Sequence, residues 1–253
     1  MMKIHRLFLV LLFGIFLYGD VMYEMTTASE GMMGMGGEAT MRVFVKGDYL
    51  RTETTSQSPM TGETTDITII RLDKRVIWTL YPEEKEYAET EIEQLEELKQ
   101  QVSPEEEAKV EIPEIKVERT GEKKKILNKN CEKIVISMDA TSEEGVMTFT
   151  QTMWITKEIP GFQEINNFNK KMSELGMTQS SAMKMGGNKE SYEELQKKTS
   201  EIEGFPLEMD LDMTMGAEEM TFSIKMHSTV TNFNTKPIDR KVFEIPTGYT
   251  LKD

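Results

Sequence analysis

Methionine is the residue with the most unusual chemistry to offer in this chain, with 21 among 253 residues. Met32, Met33 and Met35 lie in "EGMMGMGG", and Met183 and Met185 in "SAMKMGGN", two loop-like runs rich in Gly and Ser. Thioethers are soft ligands that suit Cu(I), so these five could gather one soft metal ion. A second group keeps different company. Met209, Met213 and Met215, then Met220 and Met226, alternate with polar residues in strand-like runs. There methionine serves as a flexible, polarizable filler, favoured on surfaces that accept varied apolar partners. The loop methionines lack the histidine or cysteine that often accompanies them in a metal site, so greasy contact outweighs metal binding as the expectation.

The rest of the reactive inventory is thin. His5 falls in an apolar N-terminal run, which leaves His227; it alternates onto the polar side of a strand, without a partner close in sequence, and reads as a surface residue. With no second histidine, His-based zinc sites cannot be built. Cys131 is the sole cysteine, so no intrachain disulfide can form. In a strand it reads as a small buried hydrophobe rather than as a thiol activated by Lys129 or Lys133. No G-x-S-x-G elbow, P-loop or G-x-G-x-x-G fingerprint occurs; "GMGG" at 34–37 has the wrong spacing. Carboxylates abound, but no pair stands apart from a charged, solvated surface. These residues point to a protein that binds rather than catalyses, with no cofactor.

The elements that position them are mostly strands. "VMYEMTT" opens an antiparallel meander, and "ATMRVFVKGDYLRTET" reads as a hairpin turning at Gly47-Asp48, with Met41, Val43 and Val45 on one face. Strands are expected near 64–71 and 75–81, joined at Asp73-Lys74, with another turn over Pro82–Lys85. More follow near 113–120, 123–128, 131–139 and 145–157, with "TGEKKK" and "ATSEEG" as turns. Helical spacing appears over 92–102, 161–175 and about 189–202; the second carries the stripe Phe162, Ile165, Phe168, Met172 and Leu175. The last hairpin has the clearest alternation. Leu207, Met209, Leu211, Met213 and Met215 face with Met220, Phe222, Ile224 and Met226, while Glu208, Asp210, Asp212, Lys225 and His227 take the other side. That is a sheet with one dry and one wet face. About ten strands and two or three amphipathic helices make one α+β unit over residues 20–253.

Composition bounds location and partners. Lys3 and Arg6 precede an apolar stretch, Leu7–Tyr18, too short to span a bilayer comfortably and fitting a secretory signal over residues 1–19. The expected protein is exported, periplasmic, and without a transmembrane span once the signal is removed. The net charge of the full chain, -14, repels phosphates and anionic headgroups, so nucleic acid is excluded as a partner.

A sheet with one dry face needs a cover, and the helices can either fill the space beneath them or leave a slot. In a slot, each buried methylene of a lipid chain contributes about 0.8 kcal/mol, so ten give on the order of 8 kcal/mol before association costs. The candidate lining is Met41, Val43, Val45, Met209, Leu211, Met213, Met215, Phe222, Ile224 and Met226, with Phe162, Ile165 and Phe168 as the cover. Gly186-Gly187 would give a lid hinge. The alternatives are the Cu(I) site and a filled domain that binds envelope proteins through its polar face.

Four segments carry a family resemblance: "VFVKGDYLRTE" (43–53), "RLDKRVIWTLYPEEKEYAE" (71–89), "IEGFPLEMDL" (202–211) and "PIDRKVFEIPTGY" (237–249). Together they resemble an uncharacterised family of bacterial exported proteins related to the LolA/LolB lipoprotein carriers. The resemblance implies an unclosed antiparallel half-barrel with helices over its concave apolar face, and a lipid or lipoprotein acyl chain as partner. No functional motif of the carriers is recognisable at a matching position, so none of their residues is carried over.

Overall fold

The structure is a computed structural model that describes residues 20–31, 36–58, 62–93, 114–142, 145–175, 177, 197–198, 202–217 and 220–252. The first meander comprises β1 (Val21–Gly31), β2 (Gly37–Lys46), β3 (Tyr49–Ser58), β4 (Gly62–Arg71), β5 (Val76–Tyr81) and β6 (Glu86–Glu91). The second comprises β7 (Glu114–Ile126), β8 (Lys129–Ser142), β9 (Gly145–Thr156), β10 (Phe205–Ala217) and β11 (Met220–Asn234). Helix α1 (Phe162–Glu174) separates β9 from β10, and a 3-10 helix (Arg240–Phe243) precedes β12 (Thr250–Leu251).

All twelve strands belong to one sheet, in the order β12-β6-β5-β4-β3-β2-β1-β11-β10-β9-β8-β7. β11 returns to pair antiparallel with β1 and so joins the two meanders. The outermost strands, β12 and β7, do not meet, so the sheet is unclosed. The count is twelve rather than about ten, and one α-helix lies among the described residues. The helices expected over 92–102 and 189–202 fall almost wholly outside them. The expected turn at "TGEKKK" is instead an irregularity within a single strand: β7 shifts register between Arg119 and Lys123, with Gly121 at φ 78°. The chain reverses at Leu127-Asn128, both at positive φ, as the tightest two-residue hairpins require.

Two hydrophobic cores lie on opposite faces: the hairpin of β10 and β11 has one apolar and one polar side, as its alternation implies, but the sheet is buried on both sides at β4 and β5. On the first face, cross-strand partners run Ile77, Ile70, Leu50, Val45 and Val21 in one row. Helix α1 lays Ile165 and Phe168 into this core, with Phe162 and Met172 packed against it. The helix is keyed to the β2–β3 turn. The buried Glu164 accepts a hydrogen bond from the Gly47 amide at 2.5 Å, and the Lys171 ammonium meets Asp48 at 2.6 Å. On the other face, Ile69, Trp78, Leu80 and Phe243 form a second core. The runs "TIIRL" and "VIWTL" carry apolar residues at consecutive positions, the mark of strands buried on both sides.

The C-terminal segment covers this second core and is tied down by polar contacts. The buried Arg71 guanidinium donates to both Asp73 carboxylate oxygens at 2.8 Å, to Glu244 at 2.5 Å and to the Phe243 carbonyl at 3.3 Å. Its flat face sits 4.6 Å from the Tyr49 ring centroid. Lys46 bonds the Ile238 carbonyl and Asp20 accepts from the Ile238 amide.

Candidate functional site

The register places every described candidate strand residue on the face that bears α1. Met41 lies opposite Met25, and Val43 opposite Tyr23. Farther along, Met226 pairs with Leu211, which pairs with Gln151; Ile224 pairs with Met213, which pairs with Phe149. Phe222, Met215 and Met147 form the next row. The candidates nevertheless divide into two environments. Val43, Val45, Ile165 and Phe168 are buried in the α1 core, with Met41 and Phe162 packed against it. Met213 is also buried, but Met209, Leu211, Met215 and Ile224 are half-buried, and Phe222 and Met226 are 39% and 36% exposed. The result is a contiguous apolar band across β9, β10 and β11, partly open to solvent.

Sequence reasoning missed the β9 contribution to this band. Met147, Phe149 and Met153 are half-buried and stand beside Met215, Met213 and Met209. The signal was present in "GVMTFTQTMWIT", where they alternate with Val146, Thr148, Thr150 and Thr152. Methionine suits such a band, because its thioether adapts to irregular apolar partners. Along β8 and β7, Ile134, Ile136 and Ile115 are fully sealed. The loop methionines Met32, Met33, Met35, Met183 and Met185, the Gly186-Gly187 pair and the stretch 1–19 lie outside the described residues; Met220 begins β11.

Three recesses bounded by described residues lie elsewhere. A cavity of about 310 Å³ is lined by residues of the β7–β8 turn, the β9–α1 loop and the end of β11. One of about 230 Å³ surrounds Cys131 and Glu158. One of about 420 Å³ lies on the outer face between Arg42, Glu53 and Ile67. None of the three is lined by a residue of the expected ligand site. Burial pushes the Cys131 thiol above its ordinary range, so the unreactive thiol is favoured.

The wet face holds the partner that His227 lacked in sequence. Asp210 lies directly across the β10–β11 pair, its carboxylate 2.7 Å from His227 Nδ1, while Thr229 Oγ1 lies 3.0 Å from Nε2. Glu208 completes a group whose ligand atoms fall within 4.8 Å of one another. Each member is already engaged, since Glu208 also holds the Lys124 ammonium at 2.5 Å. This is a cross-strand polar ladder, with Lys225 and Asp212 at 3.1 Å continuing it.

A family model described as a domain of unknown function, DUF4412, matches residues 23–249. All four segments that carried the sequence resemblance fall within that span. No curated protein matches the chain. Among solved structures it is similar to a LolA superfamily protein from Nitrosomonas europaea, at 7% identity and a TM-score of 0.30, over 90% of this chain and 91% of that one.

Proposed function

We propose that this chain, which belongs to the DUF4412 family, is a non-enzymatic exported protein that binds a hydrophobic ligand on its Met-rich sheet band. The observation that carries the reading is the band itself. Met209, Leu211, Met215, Phe222, Ile224 and Met226 stay partly open, whereas the same face is sealed a few residues away by α1. Contiguous apolar surface of this kind marks a binding site more often than idle exterior. The ligand class that fits is an acyl chain, as a lipid or on a lipid-modified protein. Its methylenes can follow methionine side chains without matching a fixed shape. In this reading the sheet curls as a half-barrel around the chain, and residues 1–19 act as the export signal. Among the described residues, no helix is long and apolar enough to cross a membrane.

Titration with a long-chain fluorescent fatty acid tests the proposal. Saturable binding is expected in the unaltered chain, with at least a tenfold loss in Met226→Glu, which sets a charge against the acyl chain at a site where folding does not need burial. Absence of uptake, or equal binding by that variant, would reject it.

A further inference from the structure

At the far end of β11 from the apolar band, the sheet comes apart on one side. β10 pairs with β11 only as far as Glu208 opposite Thr229. Beyond that point β11 keeps its partner β1, down to Met22 opposite Asn234, while β10 shifts register near Pro206 and follows β9. Residues 231–235 therefore border a gap rather than a neighbouring strand. The cavity of about 310 Å³ occupies this gap, lined by Leu127, Lys129, Ile159, Pro160 and residues 231–235. Its size is at the lower end for sites that enclose small molecules.

The lining is divided by chemistry. Ile159 and Phe233 form an apolar base, fixed from behind: Phe233 stacks on Tyr23 and meets Phe205 edge-on, with ring centroids 6.4 and 5.8 Å apart. Leu127, 42% exposed at the hairpin tip, and Pro160 form the apolar rim. Lys129, half-buried, also lines the cavity, and its ammonium makes no hydrogen bond or ion pair among the described residues. Glu158 is near enough to feel its charge, but that carboxylate is occupied by the Asn130 amide and backbone N–H. The other polar groups are only partly used. Thr231 donates to the Glu24 carbonyl and Asn234 accepts from the Lys236 amide, while the side chains of Asn232 and Thr235 have no partner among the described residues. In a chain with 44 acidic and 30 basic residues, a half-buried lysine without an ion pair is a notable position.

We infer that this gap is a second ligand site, for a small monocarboxylate with an apolar body. The carboxylate would take the Lys129 ammonium, a charge-assisted hydrogen bond, together with the Asn232 amide or the Thr235 hydroxyl. The hydrocarbon part would lie on Phe233 and Ile159 under the Leu127 rim. A fully extended strand places Phe222 and Phe233 roughly 35 Å apart, so this site and the apolar band are separate.

The experiment is a ligand-observed NMR titration of the full chain with hexanoate, with neutral hexanamide as control. Hexanoate is expected to bind saturably and at least tenfold more tightly than hexanamide. Lys129→Met, which keeps the stem and removes the charge, is expected to abolish that preference without changing the thermal midpoint. Met226→Glu is expected to leave hexanoate binding intact, which separates this site from the band. Absence of saturable hexanoate binding, or an unaltered preference in Lys129→Met, would overturn the inference. Loss of hexanoate binding in Met226→Glu would overturn the separation of the two sites.

Discussion

Phe168→Ala separates folding from recognition. Phe168 is 1% exposed and belongs to the core that α1 shares with Val43 and Val45. Truncating a buried phenylalanine costs about 3–5 kcal/mol, because transfer energy is lost and the void relaxes only in part. For a chain of this length, that is a fall in thermal midpoint of roughly 10 °C. The decisive comparison is with binding. If the space under α1 is filled, and the ligand lies on the β9–β11 band, the folded fraction of Phe168→Ala keeps its affinity for a long-chain fatty acid within about twofold. Met226→Glu shows the converse, with an unchanged midpoint and lost affinity. Calorimetry and fluorescence titration on the same samples give both quantities. Should Phe168→Ala be too unstable to purify, Ile165→Val poses the same question at a cost of about 1 kcal/mol. An affinity change of tenfold or more in either core variant, with stability little altered, would place the ligand beneath the helix and refute the division.

Other outcomes follow from the buried polar groups and the C-terminal cover. Burial pushes the Tyr23 phenol from 10.0 up to about 12. A raised folded value means this group's stabilisation is complete below pH 10 and lost as pH rises toward 12. Chemical denaturation at pH 9 and 11.5 should show a smaller alkaline loss in Tyr23→Phe than in the unaltered chain. The Arg71 hydrogen bonds hold the Asp73 carboxyl below its ordinary 3.8. That contribution is present above pH 3.8 and lost as pH falls through the lowered value. Asp73→Asn should therefore flatten the acid limb of the stability profile, read by urea denaturation between pH 2 and 6. Phe243→Ala, which opens the second core at Ile69, Trp78 and Leu80, should cost about 3–5 kcal/mol and leave fatty-acid affinity unchanged.

The parts of this fold that follow local rules could be read directly. The Gly47-Asp48 hairpin, the α1 stripe and the alternation from Leu207 to Met226 each follow from turn chemistry or periodicity alone. What escaped depended on partners distant in sequence. The break between strands near 123–128 and 131–139 was legible, but "TGEKKK" read as a further turn; only the shifted pairing of β7 with β8 shows that Gly121 marks an irregularity within one strand. The second core escaped because Phe243 meets Ile69 and Trp78 across a long chain separation, although the doubled apolar positions in β4 and β5 hinted at burial on both sides. The buried and the partly exposed residues of the candidate site look alike in sequence. Val45 and Met226 both occupy apolar positions on one face, and only the placement of α1 distinguishes them.

That placement has a mechanical basis. Helix α1 is fixed to the β2–β3 turn by Glu164 and Lys171, and the C-terminal segment is fixed to β2, β3 and β4 by Lys46, Arg51 and Arg71. The α1 core runs across both meanders, from Ile70 of β4 through Val45 and Val21 to Val230 of β11, Phe205 and Leu207 of β10 and Cys131 of β8, while the C-terminal core lies on the opposite face of β4 and β5. Beyond the α1 core, the far ends of β9, β10 and β11 are held in register by antiparallel pairing. Apolar side chains on that extension can stay partly exposed because they are not required to hold the sheet together. The proposed binding surface is thus pre-ordered by packing elsewhere in the sheet while staying partly exposed. Its residues can change to suit a ligand at little cost to the fold, which is the condition under which adaptable methionines, rather than closely fitted valines and isoleucines, are expected to accumulate.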